Sequence, residues 1–179
     1  MSELYGGGLE TGLDGARWQL KWREYAYIEE WANPQSAFWN TPVESACANG
    51  STAPDRVVFM IFSWTVTTQA DWRTKITQTV DNFRAKYPNL RRLDFMTQIT
   101  GPNNMLCPTP PATGETIVVS PARAAAMDEV AAAFPGFVYL SPKWAVRSCA
   151  DFDGGGPHLT VAGNQAAATT VSAFFAPTQ

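Results

Sequence analysis

The chain has a single histidine, few charged residues and no long apolar run. Its 179 residues carry 13 Lys and Arg against 16 Asp and Glu, which gives a net charge of −3. This balance argues against nucleic acid or an anionic membrane as a partner, because both attract basic surfaces. No apolar run approaches the ~18 residues of a membrane span. One histidine and irregularly spaced cysteines predict no metal site and no cofactor.

The three cysteines are Cys47, Cys107 and Cys149, an odd number that leaves one without an internal partner. Cys107 and Cys149 each lie on a loop after a predicted strand and are a plausible disulfide pair; three reduced thiols are the alternative. Low charge, seven tryptophans and many small polar residues are typical of a secreted protein. Residues 1–15 lack the basic head and apolar centre of a signal peptide. We therefore expect an extracellular protein, rather than a cytoplasmic one, whose leader is not in this chain.

At this length we expect one domain over residues 1–179. Residues 1–55 are rich in Gly and Trp and mostly irregular, apart from a helix predicted at 16–31. Downstream, apolar runs predict strands, and apolar residues at helical spacing predict helices. The predicted strands cover 56–63, 91–98 and 136–141, and the predicted helices cover 70–87, 121–134 and a C-terminal segment after residue 160.

Alternating strands and helices predict an α/β fold: a three-layer sandwich with a mainly parallel sheet between helices. Such sheets bind ligands beyond the carboxyl ends of their strands. This rule places Ser63-Trp64-Thr65, the loop 98–107 and the histidine, His158, around one cleft.

The stretch from Cys149 to Phe175 contains His158. Two acids, Asp151 and Asp153, and three glycines precede the histidine, and Thr160 follows as a predicted helix N-cap. Apolar residues then predict one buried helix stripe, formed by Val161, Ala162, Ala166, Val171, Phe174 and Phe175. His158 is therefore expected on a loop at the start of the last helix, where catalytic side chains often lie.

An acid-rich loop, Gly-Pro-His-Leu-Thr, Gly163 and an Ala-rich closing helix together resemble the C-terminal block of SGNH (GDSL-type) esterases and lipases. The resemblance covers residues 56–175. It implies an SGNH-hydrolase or flavodoxin-like sheet and hydrolysis of acyl or acetyl esters, including those of carbohydrates. It also implies that His158 is the general base for a serine. The family's orienting aspartate lies three residues earlier, where Gly155 stands here, so Asp153 and Asp151 are the candidates for that role.

The family's Gly-Asp-Ser nucleophile block is absent, and we expect the first strand, which carries that block, to be missing. Ser63, at the end of the first predicted strand, is the candidate nucleophile in this chain; a serine outside the chain is the alternative. By resemblance, Gly7 and Gly8 are candidates for the family's glycine block. Asn103 and Asn104 are candidates for polar contacts to the substrate, together with Trp64.

Three interpretations of function follow from these residues. The first is an ester hydrolase acting on a small-molecule or glycan ester. The second is a non-catalytic ligand- or carbohydrate-binding module that uses the same cleft and the Trp-rich segment 18–39. The third is a subunit that completes its sheet on a second chain, either a copy of itself or another partner.

Overall fold

The computed structural model describes residues 26–40, 53–96, 99–100, 121–142, 144–145, 148–152 and 159–175. Within them lies a three-stranded parallel sheet. Its strands are β1 (Arg56–Met60), β2 (Arg92–Met96) and β4 (Val138–Leu140), in the order β1-β2-β4. The register sets Phe95 between Phe59 and Leu140. The predicted α/β class with a parallel sheet is confirmed.

Four α-helices lie in the described part of the chain: α1 (Ile28–Ala32), α2 (Gln69–Lys86), α3 (Pro121–Ala133) and α4 (Val161–Phe175). α2 lies between β1 and β2 in the chain, and α3 between β2 and β4, as parallel neighbours require. Thr68 caps α2, because its Oγ1 accepts a hydrogen bond from the Asp71 N–H at 3.1 Å. None of these helices is long and apolar enough to cross a membrane.

Apolar side chains cover both faces of the sheet, because successive residues of a strand point to opposite sides. One core cluster takes Phe59, Leu93 and Phe95 from the sheet and packs them with residues of α1, α2 and α3. The other takes Met96, with Val58 and Met60 packed against it, and includes Ala168, Val171 and Phe175 of α4. Helices therefore flank the sheet on both sides.

A second, shorter pair of strands continues the main ladder. β3 (Ile99–Thr100) and β5 (Trp144–Ala145) are parallel, with Ile99 opposite Trp144. In the main sheet Leu93 is opposite Val138, and the two partners are separated by the same number of residues in both ladders. β2 with β3, and β4 with β5, are thus two interrupted strands that keep one register. Neither strand was predicted: residues 99–100 were expected in the loop 98–107, and residues 144–145 in the loop before the last helix.

One fully buried carboxylate lies within the sheet. Asp94, with 0% exposure, accepts hydrogen bonds from Arg56 Nε at 2.7 Å and from Arg92 Nη2 at 2.7 Å. The Arg56 guanidinium lies over the ring of Phe175, 5.3 Å from its centroid, and that of Arg92 lies 4.1 Å from the centroid of Tyr139. The hydrogen bond with Asp94 raises the pKa of Arg92. These pairings make the buried charge tolerable.

The helix predicted at 16–31 is confirmed at residues 28–31 and is wrong at residues 26 and 27. Tyr27 is extended, with φ −70° and ψ 167°, and α1 starts only at Ile28. The Ile28 N–H donates to the Phe62 carbonyl at 2.8 Å, so the backbone here is held by the chain that follows β1. The part of the prediction before residue 26 lies outside the described residues.

Two predicted strands are shorter than expected. The strand predicted at 56–63 ends at Met60, because the carbonyls of Ile61 and Phe62 bind the Arg123 guanidinium and the Ile28 N–H. The strand predicted at 136–141 begins at Val138, because Gly136 has a φ of +78° and forms a turn.

The predicted stripe of the last helix is wrong at three positions. Val161 is 75% exposed, Phe174 is 42% exposed, and Ala162 is also exposed. Val171 and Phe175 of the predicted stripe are buried, and the other buried residues of α4 are small or polar: Gly163, Ala168 and Ser172. Close packing selects these small side chains, which a count of apolar residues does not detect.

Candidate functional site

The loop after β1 is organised by the hydroxyl of Ser63. Ser63 Oγ donates to Glu29 Oε1 at 2.5 Å, and it accepts from the N–H groups of Thr65 at 3.0 Å and Val66 at 3.1 Å. A hydroxyl has one proton and two lone pairs. All three are therefore used in holding this turn at the carboxyl end of the strand.

Glu29 ties α1 to this turn. The hydroxyl of Thr65 donates to the same Glu29 oxygen, Oε1, that binds Ser63. Burial raises the pKa of Glu29, but the hydrogen bonds from Ser63 and Thr65 outweigh it, so the pKa lies below its ordinary value. The other carboxylate oxygen, Oε2, is buried and has no hydrogen-bond partner among the residues that the structure describes. Glu29 was not among the predicted site residues, because its partners lie 34 and 36 residues away in the chain, where no local pattern reports them.

Trp64 stands between the two hydroxyl residues and points outward. Its side chain is 58% exposed. Its ring meets the ring of Phe62 edge-on, at 4.7 Å between centroids and 87° between planes. Phe62 in turn lies 5.9 Å from Tyr27. Phe62 thus packs against the exposed indole, and Tyr27 packs against Phe62.

Arg123 connects α3 to the same end of the sheet. Its Nη1 donates to the Ile61 carbonyl at 3.1 Å, and its guanidinium lies 5.7 Å from the centroid of the Trp72 ring. Burial lowers the pKa of Arg123. The arginine therefore fixes the exit of β1 against the first turn of α3.

The segment before the last helix is a compact, hydrogen-bonded unit. Cys149–Asp151 forms a 3-10 helix capped at Ser148, whose Oγ accepts from the Ala150 N–H at 3.2 Å. The Asp151 carboxylate completes a capping box by accepting a hydrogen bond from the Ser148 N–H at 3.2 Å. The Asp151 carbonyl accepts from the Thr160 N–H at 2.8 Å, and Phe152 forms an antiparallel bridge with Leu159. The loop 153–158 therefore begins and ends next to a paired residue.

The start of α4 packs directly against this unit. The predicted cap is confirmed: Thr160 Oγ1 accepts from the Gly163 N–H at 3.0 Å and donates to the Asp151 carbonyl at 3.2 Å. A Cβ on Gly163 would lie 2.3 Å from the Asp151 carbonyl oxygen. Asn164 Nδ2 donates to the Leu159 carbonyl at 3.1 Å. Only a glycine at 163 allows the helix and the 3-10 helix to approach this closely.

Of the predicted site residues, the structure describes Ser63, Trp64 and Asp151. Ser63 and Trp64 lie together in the turn after β1, and Asp151 lies in the unit before α4. The others lie outside the described residues: Gly7, Gly8, Asn103, Asn104, Asp153 and His158. Cys149 lies in the unit before α4, and Cys47 and Cys107 lie outside the described residues, so the pairing of Cys107 with Cys149 stays a prediction.

No family model, curated protein or solved structure matches the chain. Among the described residues, no group of three or more His, Cys, Asp or Glu side chains is arranged to hold a metal ion. The assignment of function therefore rests on the sequence motif and on the geometry around it.

Proposed function

We propose that the chain is an SGNH-type ester hydrolase, acting on acyl or acetyl esters, with His158 as the general base. One observation carries the proposal: the Phe152–Leu159 bridge fixes both ends of the loop that holds the only histidine in the chain. A catalytic base needs such support, because its ring must be held at hydrogen-bond distance from the proton that it removes.

The same bridge favours Asp153 as the residue that orients the imidazole. Asp153 follows Phe152 and His158 precedes Leu159, so covalent geometry keeps their Cα atoms within about 13 Å. The carboxylate of Asp151 instead accepts from the Ser148 N–H and closes the cap. We therefore assign to Asp153, with Asp151 as the alternative, the role that the family gives to an aspartate three residues before the histidine.

The order of the elements supports a position for this loop beyond the carboxyl ends of the strands. The loop 153–158 follows β5 and precedes α4 in the chain, and in a parallel sheet the segments that lead from a strand to the next helix lie at the carboxyl edge, where such sheets bind ligands. Ser63 also lies at that edge, in the turn after β1.

The reaction follows from these roles. The nucleophilic serine oxygen attacks the ester carbonyl carbon while His158 takes the serine proton. The alcohol leaves with that proton, and water, activated by the same histidine, then releases the acid from the acyl-serine. Ser63 is the candidate nucleophile, and to attack it must exchange its hydrogen bond to Glu29 for one to the histidine. A serine outside the described residues is the alternative.

Hydrolysis of p-nitrophenyl acetate and butyrate by the complete chain tests the proposal. We expect turnover that is abolished by His158→Ala and reduced at least tenfold by Asp153→Asn. If Ser63 is the nucleophile, Ser63→Ala abolishes turnover. Thr65→Val is the matched control, because it removes the other hydroxyl from Glu29 and keeps the serine.

Two outcomes would contradict the proposal. The first is no turnover by protein that melts cooperatively; in that case binding without turnover would favour the ligand-binding module, and a mass that rises with concentration would favour the subunit. The second is turnover that His158→Ala leaves unchanged, which would remove the histidine from the mechanism.

A further inference from the structure

The turn that carries Trp64 is partly exposed, and several hydrogen bonds of its side chains hold it in place. The residues on either side of Trp64, Ser63 and Thr65, both donate their hydroxyl protons to Oε1 of Glu29. Ser63 Oγ also accepts from two backbone N–H groups of the same turn. The backbone on both sides of Trp64 is therefore fixed by one carboxylate from a different element, α1. We call this arrangement of Glu29, Ser63 and Thr65 the clamp.

The side chain that this clamp presents is a large apolar ring in solvent. The indole of Trp64 is 58% exposed, and its edge contact with Phe62 fixes the ring from one side. In the described part of the chain, no hydrogen bond engages its Nε1–H. A rigid, exposed aromatic ring with a free donor loses little conformational entropy when a ligand stacks on it. The geometry is that of a binding platform.

The surroundings of the ring decide which ligand fits. Most of the residues that follow Trp64 are polar and exposed, namely Thr65, Thr67, Thr68 and Gln69, and the one apolar residue among them, Val66, is half-buried. An acyl chain needs an apolar groove, which these residues do not provide. The net charge of −3 disfavours nucleic acid, the other common ligand of exposed aromatic rings. A sugar ring has one apolar face for the indole and hydroxyls at its rim for the threonines.

We propose that Trp64, clamped by Glu29 through Ser63 and Thr65, is the stacking platform of a carbohydrate-binding site at the carboxyl end of β1. The site indicates that the alcohol part of the ester substrate is a sugar, and in that respect the inference rests on the proposed function. Binding itself requires no catalysis. Glu29 is a positioning residue, since it acts on the ligand through the orientation of Trp64.

Isothermal titration of the complete chain with hexasaccharides of β-1,4-linked xylose, glucose, mannose and N-acetylglucosamine tests the site. We expect at least one to bind, with a Kd that Trp64→Ala raises tenfold or more and Trp64→Phe raises less. Phe174→Ala is the control, because it removes another partly exposed ring, on α4, and should leave the Kd unchanged. Melting curves establish that each variant is folded.

The positioning role of Glu29 has its own readout. Glu29→Ala should weaken sugar binding and lower the ¹⁵N order parameter of the Trp64 indole N–H, whereas a merely structural glutamate would lower the melting temperature alone. The clamp is refuted if the order parameter does not change.

Three results would overturn the platform: no binding of any hexasaccharide at millimolar concentration, binding that Trp64→Ala leaves unchanged, or Trp64-dependent binding of decanoate instead of a sugar. The proposed hydrolase is tested separately, because turnover of p-nitrophenyl acetate depends on His158 and not on a sugar. Acetate turnover without sugar binding refutes the platform alone, and sugar binding without turnover refutes the hydrolase alone.

Discussion

Replacing Gly163 by alanine should destabilise the protein, although glycine to alanine normally stabilises a helix. Gly163 lies in the first turn of α4, where a new Cβ would stand 2.3 Å from the Asp151 carbonyl oxygen and 3.1 Å from its carbonyl carbon. Real contacts of this kind do not fall below about 3 Å, so the helix and the 3-10 helix must separate. The separation strains the 2.8 Å hydrogen bond from the Thr160 N–H to the same oxygen.

The magnitude follows from two opposing terms. Overpacking against a fixed neighbour costs about 1–3 kcal/mol. The gain in helix propensity is at most about 1 kcal/mol, and it is smaller in a first turn. The net loss is about 1–2 kcal/mol. At about 2–4 °C for each kcal/mol in a domain of this size, the melting temperature should fall by about 2–8 °C.

Thermal and urea unfolding of Gly163→Ala beside the wild type measure this loss. Ala162→Gly, an exposed position in the same turn, is the matched control and should cost no more than about 1 kcal/mol. A Gly163→Ala protein as stable as the wild type, or more stable, would refute the close approach of α4 to Asp151. Ester turnover should fall in the same variant, because the shift moves one end of the loop that carries His158.

Three further changes should have measurable effects. Asp94→Asn removes the charge that pairs two arginines and should cost about 2–3 kcal/mol in urea unfolding, less than a fully buried pair because both guanidiniums are partly exposed. Thr160→Ala removes the cap of α4 and should cost about 1–2 kcal/mol. Glu29→Gln should flatten the dependence of the melting temperature on pH. Because the folded pKa of Glu29 is lowered, its ionised form stabilises the protein above the ordinary value of 4.5, and this contribution is lost as the pH falls below it.

The controls for these changes use exposed groups. Glu129→Gln breaks an ion pair with Arg73 in which both side chains are well exposed, so it should cost less than about 1 kcal/mol. An Asp94→Asn loss no larger than this would contradict a structural role for the buried cluster. Equal stability of Thr160→Ala and the wild type would exclude the cap. A melting difference between wild type and Glu29→Gln that stays constant from pH 7 to pH 3 would contradict a lowered pKa.

The local elements of the fold could be predicted from the sequence because a buried face makes apolar residues recur at regular spacing. The helix predicted at 70–87 is Gln69–Lys86, and the one predicted at 121–134 is Pro121–Ala133. The ends of strands could not be predicted in the same way. β1 stops at Met60 because partners from α1 and from Arg123 take the next carbonyls, and both partners are distant in sequence.

The features of the candidate site also divide into local ones, which could be predicted from the sequence, and long-range ones, which could not. The Thr160 cap is a local signal and was predicted. The Phe152–Leu159 bridge and the contact that forbids a Cβ on Gly163 depend on how two short segments meet, which no pattern in either one reveals. The clamp of Glu29 on the Trp64 turn joins elements more than 30 residues apart, so the sequence indicated Trp64 as a candidate contact without indicating the residue that fixes its turn.

The most direct test of the proposed hydrolase is labelling of the complete, folded chain with a fluorophosphonate, followed by intact mass and peptide mapping. This reagent forms a covalent adduct with an activated serine and therefore identifies the nucleophile as well as the mechanism. We predict a single adduct on one serine that is lost in His158→Ala. The absence of an adduct on protein that melts cooperatively, or an adduct that forms equally in His158→Ala, would contradict the account.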